Sequence, residues 1–273
     1  MSEKKRAIVV GSSGGIGPEI ARRLDRQGYE LTLVDRDLLA IQTLAEQLSR
    51  ATAVAADLCD REALAELCAK IEGDADGYDV AVMNAGVIFP KLVQDTDPGE
   101  LDLELEVNLR SAIHLLRAFT RHMLPRKRGH IITTVSMGGI IALKGSACYA
   151  ATKFGLRGFV VSLHNELRAH GISVSGIYPS GVDTPMLQYE ARNDGSALNF
   201  ASALQSVADI GDAFERALAT GKVEIYPSWM DSLSGRLVGS FPWLIPRVLP
   251  LMERIGERGR QRYLAQLDQR SQS

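Results

Sequence analysis

The sequence of 273 residues contains few cysteines and histidines and carries little net charge. Its three cysteines (Cys59, Cys68 and Cys148) have neither the spacing of a disulfide framework nor that of a zinc site. The five histidines are scattered, so we expect no metal site. With 31 basic and 33 acidic residues, the formal net charge is -2, which gives no electrostatic reason to expect a nucleic-acid partner.

Long apolar runs of the kind that direct secretion or span a membrane are also missing. The charged N-terminus leads directly into a short apolar stretch at residues 7–10, without the apolar segment of a signal peptide. Arg236 and Arg247 interrupt the apolar part of the C-terminal segment, which argues against a membrane-spanning helix. We therefore expect a cytoplasmic protein, and a hydrophobic content of 45% is ample for one large α/β domain.

A glycine-rich turn, GSSGGIG at residues 11–17, lies between a predicted buried strand at residues 7–10 and a helical pattern at residues 18–27. Glycines in this position let the backbone approach a pyrophosphate, whose charge is favoured at the N-terminus of the helix. Because the spacing is Gly-x-x-x-Gly-x-Gly, an ordinary tight turn is the alternative. The turn predicts a nucleotide site only if further residues support it.

Further apolar strand patterns alternate with amphipathic helix patterns along the chain. The predicted strands are residues 30–34, 52–56, 80–83, 130–135, 172–178 and 223–226, and the predicted helices include residues 38–49, 61–71, 102–124 and 206–219. This alternation predicts a doubly wound α/β fold with a parallel sheet. Gly11, Asp35, Asp57 and Asn84 each follow the carboxyl end of a strand, where such sheets bind ligands. Each residue alone could be turn chemistry, but together they predict one continuous site.

The acid at position 35 bears on the choice of cofactor. A carboxylate at the end of the second strand can accept hydrogen bonds from the adenosine ribose, and it would repel a ribose 2′-phosphate. The glycine-rich turn carries no lysine or arginine, and only Arg36 favours a phosphate. We therefore expect NAD rather than NADP. The alternative for Asp35 is a helix N-cap or a solvated loop acid.

Tyr149 and Lys153 are four residues apart at the start of a predicted helix, so both side chains lie on one face. An ammonium beside a phenol lowers the pKa of the phenol, which suits it to general acid and base catalysis. A Tyr-x-x-x-Lys motif often arises by chance and needs support. Ser136 follows the strand at residues 130–135, and Asn108 lies inside a predicted helix, where asparagine is a mediocre helix former.

Together these residues resemble the short-chain dehydrogenase/reductase family over residues 6–184. The resemblance rests on the glycine-rich turn, Asp57, the NAG sequence at residues 84–86, the four residues Asn108, Ser136, Tyr149 and Lys153, and the PSGVDT sequence at residues 179–184. It implies a Rossmann-type fold with a mostly parallel, seven-stranded sheet. It also implies a homodimer or homotetramer.

The resemblance also implies roles for individual residues. Tyr149 would exchange a proton with the substrate oxygen, while Lys153 would lower the pKa of Tyr149 and hold the nicotinamide ribose. Ser136 would hydrogen-bond the substrate oxygen, and Asn108 would hold a water that links Lys153 to solvent. The implied cofactor-binding residues are Gly11, Ser13, Gly15, Ile16, Gly17, Asp35, Arg36, Asp57, Leu58, Asn84, Ala85, Gly86, Tyr149, Lys153, Pro179, Val182 and Thr184.

Residues 227–273 form an apolar extension beyond the expected catalytic domain at residues 1–226. Prolines at positions 242, 246 and 250 are expected to break any continuous helix there. The extension could cap the substrate pocket or pack at a subunit interface. Contact with a membrane surface is the least favoured role, and it would use the arginines at positions 254, 258, 260 and 262. The long connection at residues 186–204 is expected to be a substrate-binding lid.

The expected function is NAD(P)-dependent interconversion of a secondary alcohol and a ketone. An apolar cap would favour a hydrophobic substrate such as a lipid, a steroid-like compound or a terpenoid. One alternative is a catalytically silent, NAD-binding regulator or scaffold, although the four intact residues of the reaction centre argue against it. A weaker alternative is an epimerase or dehydratase, for which the segment after Tyr226 is short.

Overall fold

Seven strands form one sheet in the computed structural model, which describes residues 5–241, 243 and 245–270. The strands are β1 (Arg6–Val10), β2 (Glu30–Asp35), β3 (Ala51–Ala55), β4 (Val80–Met83), β5 (Gly129–Thr134), β6 (Ile172–Ile177) and β7 (Glu224–Ile225). Their order is β3-β2-β1-β4-β5-β6-β7, and every neighbouring pair is parallel. The predicted doubly wound, seven-stranded fold is confirmed, and the sheet is parallel throughout.

The helices follow the strands in the alternating order that the sequence predicts. They are α1 (Gly17–Arg26), α2 (Leu38–Glu46), α3 (Arg61–Gly73), α4 (Pro98–Leu105), α5 (Ser111–Met123), α6 (Ala147–Leu167), α7 (Pro185–Arg192), α8 (Val207–Thr220), α9 (Trp229–Ser240) and α10 (Ile245–Arg270). Local sequence fixes several of the starts. Asp97 and Ser206 form capping boxes at α4 and α8, and the Asp60 carboxylate accepts two backbone N–H groups at the start of α3.

The core lies on both faces of the sheet. Along β1, Ile8 and Val10 pack with residues of α3, α5 and α6, whereas Ala7 and Val9 pack with residues of α1 and α8. This alternation follows from the two-residue period of a strand. Complete burial of each large apolar side chain in these layers contributes about 1.5–3 kcal/mol. The two layers hold the carboxyl ends of the strands rigidly at one edge of the sheet.

The helix predicted at residues 102–124 is divided into two parts. A π-helical turn at Glu106–Arg110 separates α4 from α5 and contains Asn108. Asn108 is buried, and its side chain both accepts a hydrogen bond from the Val87 N–H and donates one to the Val87 carbonyl, each at 2.8 Å. These bonds require the asparagine to face inward. Single π-helical turns inside helices are frequent at functional sites.

The C-terminal extension is more helical than the sequence predicts. Pro246 lies in the first turn of α10, where its missing N–H removes no helical hydrogen bond. Pro250 lies inside α10, so the prediction that the prolines break any continuous helix is wrong at this position. One lost hydrogen bond near the helix start is outweighed by packing further along. Residue 242 lies outside the described part of the chain.

That packing is a close approach between α10 and the 3-10 turn at Ala197–Phe200. A Cβ atom on Gly256 would collide with the Ala197 carbonyl, and a Cβ atom on Gly259 would collide with the Phe200 carbonyl. One helical turn later, the Tyr263 hydroxyl donates a hydrogen bond to Asp183, which also forms an ion pair with Arg270 at 3.1 Å. The extension is therefore tied to the segment on either side of α7.

Candidate active site

A cavity of about 510 Å³ opens along the carboxyl ends of the strands. Its lining residues lie between Val10 and Asn199 in the sequence, so the described residues of the C-terminal extension are not among them. Every predicted site residue except Gly17 and Asn108 lines the cavity. These two lie directly behind the wall, since Gly17 packs on Gly11 and Asn108 packs on Gly86.

The glycine-rich turn is held against the end of β4. Gly11 has a positive φ of 82°, and a Cβ atom there would collide with the Ala85 backbone nitrogen. The Asn84 amide donates to the Gly11 carbonyl and accepts from the Thr134 hydroxyl, both at 2.8 Å. Asn84 thus joins the ends of β1, β4 and β5 in the middle of the cavity wall.

The start of α1 faces the cavity without a side-chain cap. Ile16 occupies the N-cap position and has no side-chain acceptor, so the first N–H groups of the helix receive no capping hydrogen bond from it. Unsatisfied N–H groups and the positive end of the helix dipole suit an anion such as a pyrophosphate. Gly15, which has a φ of 58°, places no side chain of its own at this helix start.

Asp35 and Asp57 lie at the end of the cavity beside β2 and β3. The Asp35 carboxylate accepts hydrogen bonds from the Ser13 N–H at 3.0 Å and from the Asp37 N–H at 3.4 Å. Both bonds fix the carboxylate beside the glycine-rich turn. Asp57 is exposed and accepts from the Cys59 N–H at 2.9 Å. This end can accept hydrogen bonds from ribose hydroxyls and from an adenine amino group.

Ser136, Tyr149 and Lys153 lie at the other end of the cavity. The Lys153 ammonium lies 5.5 Å from the Tyr149 ring centroid and donates to the Thr134 carbonyl at 3.4 Å. The Ser136 hydroxyl accepts a hydrogen bond from the Gly138 N–H at 2.9 Å. A hydroxyl that accepts one hydrogen bond can still donate its own proton, here toward Tyr149 or toward a group in the cavity.

Burial dominates the proton affinities at this end. It lowers the pKa of Lys153 to about 8. Burial also raises the pKa of Tyr149, and the negative charges of Glu190 and Glu104 raise it further. The hydrogen bond from the Ser136 hydroxyl lowers the pKa of Tyr149, but by less than burial raises it. The predicted lowering of the Tyr149 pKa by Lys153 stays a prediction, because burial has the larger effect on Tyr149 in the protein alone. The phenol is desolvated, and the ammonium is directed at the Thr134 carbonyl.

Asn108 supports this end from behind the wall. Besides its two bonds to Val87, its amide donates to the Thr152 hydroxyl at 3.3 Å. A Cβ atom on Gly86 would lie 3.4 Å from the Asn108 oxygen and 3.5 Å from the Lys153 nitrogen. Asn108 thus holds the segment on which the Lys153 ammonium packs. Its predicted role in holding a water stays a prediction.

Glu190 is a cavity residue that sequence reasoning missed. It is 6% exposed, and the Asn199 amide donates to its carboxyl at 2.8 Å. Burial raises the pKa of this carboxyl to about 8. Leu187, Glu190 and Ala191 share the buried face of α7, at the i, i+3, i+4 spacing of a helix. That spacing was the available signal within the segment predicted as a lid.

The described residues contain no group of three or more histidine, cysteine, aspartate and glutamate side chains placed to hold a metal ion. Likewise, none of the helices in the described ranges has the length and apolarity that crossing a bilayer requires. The cavity itself brings acids, bases and hydrogen-bond donors together with apolar side chains.

Comparisons with known proteins agree with this geometry. A family model described as short chain dehydrogenase matches residues 5–195. An uncharacterized oxidoreductase of Staphylococcus epidermidis is 32% identical over 206 residues, covering 74% of this chain and 90% of the relative.

Two solved structures share the fold. One is the bulky-bulky ketone specific alcohol dehydrogenase from Comamonas testosteroni, with a TM-score of 0.76 and 22% identity over 90% of this chain and 95% of that chain. The other is a short-chain dehydrogenase from Sphingobium yanoikuyae in complex with NADPH. Its TM-score is 0.76, with 23% identity over 87% of this chain and 95% of that chain.

Proposed function

Because the chain belongs to the short-chain dehydrogenase/reductase family and is an NAD(P)-dependent oxidoreductase, we propose that it interconverts a secondary alcohol and a ketone with NAD. The observation that carries this proposal is the single cavity that joins the glycine-rich turn to Ser136, Tyr149 and Lys153. A cofactor and a substrate can meet in it without any change of fold.

The residues present fit a dinucleotide. The uncapped start of α1 suits its pyrophosphate, and Asp35 suits its adenosine ribose. Val182 and Thr184 line the same cavity, and a Cβ atom on Gly15 would lie 3.6 Å from the Thr184 side chain. When bound, the dinucleotide supplies the hydride chemistry at its nicotinamide ring. The protein supplies orientation and a route for the proton.

NAD is proposed over NADP because the Asp35 carboxylate, held beside the glycine-rich turn, would repel the negative charge of a ribose 2′-phosphate. The Sphingobium relative holds NADPH, but its likeness to this chain concerns the fold. Arg36 is exposed and could approach a phosphate from solvent. The Asp35 carboxylate is already held by two backbone N–H groups. The Arg36 side chain would lose conformational entropy on binding a phosphate, so we expect the repulsion by Asp35 to outweigh the attraction by Arg36.

In the direction of oxidation, Tyr149 as phenolate would accept the hydroxyl proton of the substrate, and the bound dinucleotide would supply the hydride acceptor. Ser136 donates its free proton to the substrate oxygen and holds it in place. The Lys153 ammonium favours the phenolate form of Tyr149. In reduction the same groups act in reverse, and Tyr149 returns the proton to the new alkoxide.

The substrate proposed is a mainly apolar alcohol or ketone. Apolar side chains line the same cavity as Tyr149, among them Val135, Leu143 and Met186. Glu190 adds one polar group to this region, and its raised pKa keeps much of it protonated near neutral pH. A protonated carboxyl can donate a hydrogen bond to a second oxygen of the substrate.

The test is the rate of NADH formation across alcohols graded from short-chain to steroid-sized. Tyr149→Phe should lower this rate by about 10²–10⁴-fold, because it removes the general acid and base. Binding of NAD should be retained. Tyr29→Phe, at a partly exposed tyrosine beside β2, is the matched control. Full activity of Tyr149→Phe would refute the assignment, and NAD binding without turnover of any alcohol would favour the regulator.

A further inference from the structure

The outward face of α9 is apolar. Trp229, Met230, Leu233 and Leu237 are exposed, and Trp229 is 73% exposed. Their spacing of i, i+1, i+4 and i+8 places them on one side of the helix. Asp231 is turned away from this side and accepts a hydrogen bond from the Gln205 amide at 2.6 Å. An apolar helical face is therefore left without a partner within the described chain.

The outward face of α10 combines apolar and cationic side chains. Val248, Leu251 and Ile255 are exposed, and Leu251 is 62% exposed. Four exposed arginines share the same arc of roughly 120°, given 100° per residue. They are Arg247, Arg254, Arg258 and Arg262.

The acids of α10 lie outside this arc. At 100° per residue, Glu253, Glu257 and Asp268 fall to one side of it. Arg260 is also turned away, because it pairs with Glu257 at 3.0 Å and with Asp194 at 2.8 Å. Arg260, which the alternative of membrane contact included among its arginines, therefore does not belong to the outward face. The four arginines of the arc face outward without a neighbouring carboxylate in the arc.

Aromatic contacts connect the two helices. The Phe241 and Trp243 rings meet edge to face with centroids 6.2 Å apart, and the Arg247 guanidinium lies 5.5 Å from the Trp243 ring centroid. Trp243 is 60% exposed. Tryptophan beside arginine is typical of surfaces that lie where an apolar phase meets a charged one. We call the outward faces of α9 and α10, with Phe241 and Trp243, the α9–α10 surface.

We propose that the α9–α10 surface docks the protein on an anionic phospholipid bilayer. A bilayer of this kind offers phosphates to the arginines and an apolar boundary to the tryptophans and aliphatic side chains. A second copy of the chain fits less well. Two such faces related by a twofold axis would bring arginines against arginines, which opposes association.

The surface adjoins the walls of the substrate cavity. On the inner side of α9, a Cβ atom on Gly235 would lie 3.5 Å from Ile140 and 3.6 Å from Met137, in the segment that follows Ser136. On the inner side of α10, the helix backbone meets the turn that contains Asn199, a cavity residue. Docking would therefore bring the substrate end of the cavity close to the lipid. The docking itself does not depend on the proposed reaction.

The experiment is flotation of the full chain with vesicles of phosphatidylglycerol and phosphatidylcholine, compared with vesicles of phosphatidylcholine alone. We expect binding to the anionic vesicles that weakens with added salt, since salt screens the arginines. Arg254→Gln with Arg258→Gln should weaken it roughly 25-fold, about fivefold per arginine. Trp229→Ser with Leu251→Ser should also abolish most binding.

Matched controls test whether binding depends on the α9–α10 surface itself or on the total number of exposed charged and apolar residues. Arg168→Gln with Lys222→Gln removes two exposed positive charges elsewhere, and Leu39→Ser removes an exposed leucine of α2. Both should bind as the wild type does, and thermal unfolding checks that every variant is folded.

Three outcomes would overturn the proposal. The first is failure of the wild type to float with anionic vesicles, and the second is a loss of binding in the controls as strong as in the test variants. The third is a stable dimer that does not float and that Trp229→Ser with Leu251→Ser dissociates. That last result would assign the α9–α10 surface to a second copy.

Discussion

Asparagine in place of Asp35 should move the cofactor preference from NAD toward NADP. The carboxylate lies at the end of β2, where the Ser13 N–H fixes it at 3.0 Å beside the glycine-rich turn. Asparagine keeps an oxygen that can accept this hydrogen bond, so the turn should keep its conformation. The change removes one negative charge from the adenosine end of the cavity and little else.

The size of the effect follows from Coulomb's law. One unit charge about 5 Å from the carboxylate is repelled by about 0.8 kcal/mol in water and by roughly 3 kcal/mol at an effective dielectric constant of 20. Asp35 is partly exposed, so we place the total repulsion of a 2′-phosphate near the lower limit, at about 2 kcal/mol. Weaker hydrogen bonds to the ribose of NAD would lower its binding by about 1 kcal/mol. The ratio of kcat/KM for NADP to that for NAD should rise on the order of 100-fold.

The assay is kcat/KM with each cofactor at one alcohol concentration and at low ionic strength. Asp37→Asn is the matched control, because it removes a charge two residues away. Asparagine caps α2 as well as aspartate does, so the fold should not change. The control should change the ratio less than about threefold, since exposed charges are screened. The reasoning fails if the wild type already prefers NADP, or if both variants shift the ratio equally.

Two further predictions concern the segment around α7. Burial raises the pKa of Glu190 to about 8, so the folded chain keeps this proton to a higher pH than the unfolded chain. The stability of the wild type relative to Glu190→Gln should therefore fall as pH rises from about 5 through 8, by at most about 1.4 kcal/mol per pH unit. Urea unfolding at several pH values measures it, and parallel curves would contradict it. Gly259→Ala should destabilise the fold by about 1–3 kcal/mol, because the new Cβ atom collides with the Phe200 carbonyl. Gly158→Ala, on α6, is the control; its new Cβ atom meets open space, so it should stabilise the fold by about 0.5–1 kcal/mol. Equal melting temperatures for the two variants would show that α10 does not pack tightly on the Phe200 carbonyl at Gly259.

The sheet could be predicted because its signals are local and repeated. The buried strands are short apolar runs, and helices follow them, of which α2, α3 and α4 begin at an aspartate cap. Prediction erred where tertiary contacts decide the backbone. The helix predicted at residues 102–124 contains a π-helical turn because Asn108 bonds to Val87, and nothing near Asn108 in the sequence identifies that partner.

The grouping of Ser136, Tyr149 and Lys153 in one cavity could be predicted for a related reason. Ser136, Tyr149 and Lys153 lie at a strand end and on the first turns of one helix, so spacing alone brings them together. Proton affinities could not be predicted in the same way. Spacing places Lys153 near Tyr149, but the pKa of each depends on burial, and burial comes from residues far apart in the chain. Glu190 was missed because its burial against Asn199 depends on how α7 meets the following turn.

The C-terminal helix shows how a correct pattern can be hidden by residues of low helix propensity. Gly256, Gly259, Tyr263 and Leu267 are spaced as one face of a helix, and this face packs on the turn at residues 197–200. Glycine lowers helix propensity by about 1 kcal/mol, and Pro250 argues further against a helix in isolation. The lack of side chains at Gly256 and Gly259 lets α10 approach the turn, because a Cβ atom at either position would collide with a backbone carbonyl of the turn. The outward face of α10 does not pack on this turn. It can therefore hold large side chains, and it contains the exposed arginines and apolar residues of the α9–α10 surface.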